Sequence, residues 1–189
     1  MGVETPYTHP EAARAVLDFW FHALKPEDWW TRDETVDANI ISCFSSLYER
    51  LAEEVPGEWL ATPGGRLAAI IVLDQFPRNM FRGVSRAFAS DARALEIAEQ
   101  TVAAGEDEKL GQYERGVLYM PYQHSEDSAM QARSVELFTA LGDAAQLDFA
   151  LKHKQVIDRF GRFPHRNKIL GRESSAEEVE FLNQPGLFW

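Results

Sequence analysis

Cys43 is the only cysteine in a chain of 189 residues. One thiol closes no disulfide within a chain, which excludes a cystine scaffold and fits a reducing compartment. Its setting, Ile40-Ile-Ser-Cys-Phe44, reads as that of a buried small hydrophobe. Apolar runs all fall short of the roughly 18 residues that suggest a membrane span. Met1-Gly-Val-Glu-Thr-Pro6 has no basic region followed by an apolar stretch, so no signal peptide is expected. Pro6 also stands where N-myristoylation needs Ser or Thr. A soluble, cytoplasmic protein without a membrane partner is the expectation.

The common catalytic signatures are missing as well. The chain has no His-Glu-x-x-His, no paired Cys-x-x-Cys and no adjacent His-Asp, so the familiar zinc and helical metal-hydrolase patterns fail. Neither a phosphate-cradling Gly-x-x-x-x-Gly-Lys loop nor a Gly-x-Ser-x-Gly elbow occurs. No cofactor and no metal are expected.

Apolar and aromatic residues are abundant. Hydrophobic residues make up 45% of the chain, with twelve Phe and five Trp, enough for a sizeable core in one domain spanning 1–189. The net charge of −11 argues against nucleic acid, yet the basic residues are concentrated. From Lys152 to Arg172 the balance is +6, and from Phe76 to Arg86 it is +3. Arginine gathered beside Gly, Pro and His suits a small anion, because guanidinium holds carboxylate or phosphate bidentately. The competing reading is that these arginines pair with acids of neighbouring helices.

Periodicity gives helices almost throughout. Thr8 caps a helix with Pro10 in its first turn, along which Val16, Leu17, Trp20, Phe21 and Leu24 share a face. Asp33 or Thr35 opens a second helix, ended by Pro56-Gly57. Thr62-Pro-Gly-Gly65 precedes a third, Arg66 to Phe76, apolar all round and therefore central. Asp91 caps a fourth helix ending near Gly105, and a fifth, around Gln112 to Met120, ends at Pro121. Two longer helices, Ser125 to Leu141 and Ala144 to Phe160, join at Gly142-Asp143. Ser174 or Ser175 with Glu177 or Glu178 signals a capping box for a short last helix ending near Leu182. Pro185-Gly-Leu-Phe-Trp189 reads as an aromatic tail docked on the body.

Three aromatic-proline breaks recur, Gln75-Phe-Pro-Arg-Asn79, Tyr119-Met-Pro-Tyr-Gln-His124 and Arg159-Phe-Gly-Arg-Phe-Pro-His-Arg-Asn167. Their prolines, at 77, 121 and 164, are 44 and 43 residues apart, the size of a helical-hairpin repeat. If each break ends the second helix of a pair, stacking brings the three to one edge. The polar residues after them would converge.

These motifs also carry a resemblance. Leu17-Asp-Phe-Trp-Phe21, Leu73 to Asn79 with Arg82-Gly83, Met120-Pro121 with His124-Ser-Glu126, and Arg159 to Asn167 with Leu170-Gly-Arg172 resemble the bacterial family catalogued as domain of unknown function 924. The resemblance implies an all-helical, tetratricopeptide-like fold. With the hairpin spacing, the expectation is an all-α, right-handed stack of helical hairpins with a short C-terminal helix and aromatic tail. The family supplies no activity and no site residues.

The candidate site follows from the residues alone. Arg78, Asn79, Arg82, Arg162, Arg166 and Asn167 are expected to bind a small anionic molecule, with His124, Glu126 and His165 as candidate acids and bases. Asp74 closes an apolar helix and needs an arginine, with Arg78, Arg82 and Arg115 as candidates, and the pair reads as structural. His153 shares a face with Phe149, Val156, Ile157 and Phe160 and reads as a satisfied core histidine. The alternative function is a helical-repeat scaffold for a protein partner, its arginine motifs holding the fold together.

Overall fold

The computed structural model describes residues 10–25, 29 and 32–184. Among them the chain forms helices and no strand. The helices are α1 (Pro10–Asp18), α2 (Glu34–Glu53), α3 (Gly57–Leu60), α4 (Pro63–Ile70), α5 (Phe76–Met80), α6 (Asp91–Ala103), α7 (Gln112–His124), α8 (Ser128–Leu141), α9 (Ala144–Phe160) and α10 (Ala176–Leu182). The expected cap at Thr8 and the tail at 185–189 lie outside the described residues.

Local chemistry sets many of the ends. Asp33 accepts from the backbone of Thr35 and Val36, satisfying two donors that the first turn of α2 leaves open. Thr62 does the same for Gly65, with Pro63 in the first position of α4. Ser175 and Glu178 bond reciprocally at the start of α10, through Ser175 Oγ at 3.2 Å and Glu178 Oε2 at 2.7 Å. Gly142, with φ +77, ends α8 in the left-handed conformation that a side chain disfavours.

Two of the three proline breaks are not breaks. α4 continues through a π-turn at Ile71–Gln75 into α5, so Pro77 lies inside one long helical rod. A proline ring collides with the carbonyl four residues earlier in a straight α-helix. Here Phe76 N–H bonds Ile71 O across the wider turn, shifting the register just before Pro77. Pro121 likewise sits within α7, which runs on to His124 and is buried from Gly116 to Gln123. Packing on all sides holds that turn despite the missing donor.

Other boundaries also shift. Ser90 occupies the cap position of α6, and Asp91 is its first residue, with its carboxylate used elsewhere. Asp127, not Ser125, caps α8 through Ala129 and Met130, which leaves Glu126 ahead of the helix. Cys43 is exposed on α2, so the expected burial is incorrect. The helical spacing of its neighbours Ile40 and Phe44 turns it outward.

The rod α4–α5 is central. From Leu67 to Leu73 and at Phe76 its apolar side chains are buried. α1, α3, α6 and α7 pack on α4, α2 packs on α5, and α8 lies between α7 and α9. Trp59, Phe76, Tyr119 and Phe138 are among the largest buried side chains of the resulting core. Burying each such side chain contributes about 1.5–3 kcal/mol. A smaller cluster of Val156, Ile157 and Phe163, with Phe160 and Phe181 against it, fastens α10 to the end of α9.

Candidate functional site

Where the rod, α7 and the segment after α9 approach one another, the interior turns polar. Asp74, fully buried on the π-turn, accepts from His124 Nδ1 at 2.9 Å. Arg78 lies one turn further along the rod, 3.2 Å from the same carboxylate. Its guanidinium also makes a two-pronged bond with Asp91 at 2.9 and 2.9 Å. Asp91 reaches a second guanidinium, Arg166, at 3.6 Å. Asp74 thus holds Arg78, one of its three expected partners, although the helix does not end there: full burial, not a helix terminus, calls for the counter-charge. Arg115 instead bonds Tyr119 and approaches Asp107.

Rings complete the cluster. Arg166 is held between the rings of Phe88 and Phe163, each 4.6 Å from its guanidinium carbon. Phe163 meets His153 and His165 with ring centres 5.6 Å apart in each case. The His153 ring centre lies 6.3 Å from that of His124, and His153 donates from Nδ1 to the Phe149 carbonyl at 2.8 Å.

Burial sets the protonation states. Desolvation would raise the Asp74 carboxyl, but Arg78 and His124 outweigh it and hold it at about 2. Asp91 moves the other way, raised chiefly by burial. Burial, then the Arg78 charge, lowers His124 despite its bond to Asp74. Burial also pushes His153 to about 3, with His124 adding to it, and His165 to about 3, with Arg166 adding to it. The three imidazoles are therefore neutral near pH 7. Arg166, desolvated and repelled by Arg78, falls to about 10. It is only 7% exposed, and its Nε finds no hydrogen-bond partner. A guanidinium in that state is short of negative charge.

The sequence-derived candidates divide between this cluster and other places. Arg78, His124, His165 and Arg166 meet in it. Asn79 and Arg82 are engaged by Asp37 of α2, Asn79 at 2.8 Å and Arg82 at 2.6 and 2.8 Å. Arg162 bonds Glu178 of α10 at 2.7 and 2.9 Å. Glu126 spends both oxygens on Arg172, at 2.7 and 2.9 Å, and accepts from the Phe163 backbone at 2.8 Å. Asn167 is buried and donates to Ser174 Oγ at 3.0 Å. These last contacts fix the segment after α9 to its surroundings.

Two members of the cluster escaped the sequence reading. Asp91 looked like a helix cap, but it is the first residue of α6 and its carboxylate goes to Arg78, a partner 13 residues away that no local pattern names. Phe88 gave no signal, because its stacking on Arg166 joins residues 78 positions apart. His153 faces the cluster as well as the core. Among the described residues, no group of His, Cys, Asp and Glu is arranged to hold a metal ion, and no helix is long and apolar enough to cross a membrane.

Fold and cluster together define an all-helical protein with a buried arginine–aspartate–histidine centre. The chain belongs to the bacterial protein family of unknown function DUF924, whose sequence model matches residues 16–186. It is similar to the solved structure of a protein of unknown function, ATU0120, from Agrobacterium tumefaciens. That similarity is 35% identity over 92% of this chain and 98% of the other, with a TM-score of 0.88. No curated protein matches the chain.

Proposed function

We propose that the protein binds a small oxyanion-bearing molecule at the buried cluster, with Arg166 as the principal contact. The observation that carries this reading is Arg166 itself: 7% exposed, stacked between two phenyl rings, with Nε lacking a partner. Asp91, its nearest acid, is already committed to Arg78. A carboxylate or phosphate would supply the missing acceptor and the missing charge together. Fixed cationic groups at low local dielectric hold such an anion more strongly than scattered surface arginines do.

Calorimetric titration with inorganic phosphate and with acetate tests this. Arg166→Gln should weaken binding about ten- to a hundredfold, the equivalent of a hydrogen bond to a charged group. Arg82→Gln, which removes an arginine engaged by Asp37, should leave it unchanged. Equal affinity in all three proteins would reject the reading.

A second reading keeps its own support. The pairs Arg82–Asp37, Arg162–Glu178 and Arg172–Glu126 use arginine to tie the connecting segments to helices and to one another, as a tetratricopeptide-like scaffold for a protein partner would. Unchanged anion binding in Arg166→Gln, combined with lost stability, would favour it.

A further inference from the structure

We infer that His124 is the proton acceptor of a catalytic site, its tautomer fixed by Asp74, and that it acts on the oxyanion-bearing molecule held at Arg166. The inference rests on the anion reading and adds chemistry to it.

Geometry fixes the tautomer. Nδ1 lies 2.9 Å from each Asp74 oxygen, and the carboxylate, ionised and fully buried, only accepts. Nδ1 must therefore carry the proton, which leaves the lone pair on Nε2. The His124 side chain retains 15% exposure. Asp74 is in turn held by Gln75 Nε2 and by Arg78, so its orientation is fixed from three directions. An imidazole kept neutral by its surroundings at pH 7 is in the form that accepts protons, and burial puts His124 in that form.

The reaction class is proton abstraction. Nε2 takes a proton from an O–H or C–H of the bound molecule, or from a water beside it. The bonding electron pair stays on the oxygen or carbon, and the imidazolium formed is stabilised by Asp74 across Nδ1. His124 touches the reacting proton, and Asp74 is a positioning residue. Arg166 holds the anionic group. Glu126, with both oxygens on Arg172, takes no part.

Bromoacetate tests this without a known substrate, because it is an anion that alkylates an unprotonated imidazole nitrogen. The N–C bond forms as the C–Br bond breaks, and bromide leaves. Cys43→Ser removes the exposed thiol, and His22, 76% exposed, serves as an internal reference. Peptide mapping should show bromoacetate modifying His124 at Nε2 at least about ten times faster than the neutral bromoacetamide does, as charge steering predicts. His22 should show no such preference. Phosphate should protect His124, Arg166→Gln should abolish the preference, and Asp74→Asn should spread modification over Nδ1 and Nε2. Protection by acetate instead of phosphate would assign the site to carboxylates.

If phosphate or acetate binds by calorimetry but His124 stays unmodified, or reacts without anion preference, the proton-acceptor assignment is overturned and the anion site stands. If neither anion binds and no preference appears, both fall. Should Asp74→Asn fail to fold, the comparison of Arg166→Gln with the Cys43→Ser parent still decides.

Discussion

Glu126 and Glu49 show how differently two acids can spend an arginine partner. Glu126 is part-buried, bonds Arg172 through both oxygens and also accepts the Phe163 N–H. Glu49 meets Arg86 on the open surface, the two side chains 54% and 47% exposed. Replacing Glu126 by Gln leaves Arg172 without its counter-charge and weakens the fastening of the segment after α9. The expected loss is about 1.5–3 kcal/mol in urea denaturation, the range for a hydrogen bond to a charged group. Glu49→Gln should cost at most about 1 kcal/mol, because solvent screens an exposed pair. Equal losses for the two variants would mean that the contacts of Glu126 confer nothing beyond a surface ion pair.

At the scale of the element, the entrance to α4 makes a sharper contrast. A Cβ on Gly65 would come within 2.2 Å of the Trp59 backbone oxygen, whereas one on Gly64 would meet only Leu17 Cδ1 at 3.6 Å. Gly65→Ala must therefore shift the α3–α4 turn and should cost about 2–3 kcal/mol. Gly64→Ala makes an ordinary contact and should stabilise by about 0.4–1 kcal/mol through the unfolded chain. Thermal melts of the two variants check this, and a Gly65→Ala protein as stable as the parent would show that the turn relaxes freely.

Elements also explain which parts of the molecule were legible in the sequence. The Asp33 cap, the Ser175–Glu178 box and the Gly142 stop were readable, because each depends on residues within a few positions. The π-turn before Pro77 was not, since burial on all sides of the rod decides that a helix bends its register there rather than ends. The meeting of Arg78, His124 and Arg166 was visible as three arginine- or histidine-bearing motifs at regular spacing. Their division from Arg82 and Arg162 was not, because Asp37 and Glu178 lie 45 and 16 residues away and nothing local names them as partners.

The whole molecule should feel its buried cluster as sensitivity to acid. His124, His153 and His165 all have folded values below the ordinary 6.5, the latter two at about 3. As pH falls through 6.5, the unfolded histidines take up protons that the folded ones refuse, so stability rises with pH and falls with acid. His153 and His165, both held at about 3, each steepen the fall by up to about 1.4 kcal/mol per pH unit, discounted for their partial exposure, and His124 adds to it in the same direction. Asp74 adds a second loss of the same sign, as pH drops from its unfolded 3.8 through its folded value of about 2. Asp91, raised in the folded state, works in the opposite direction and offsets part of it. Urea denaturation between about pH 7.5 and pH 4.5 should show stability declining from near pH 6.5, well above the range in which carboxylates titrate. His165→Gln should flatten that decline by up to one histidine's share while leaving the cluster's other bonds in place. A stability curve level down to about pH 5 would mean that the three imidazoles already take up protons in the folded protein, and the buried, neutral centre would then be the wrong description of this site.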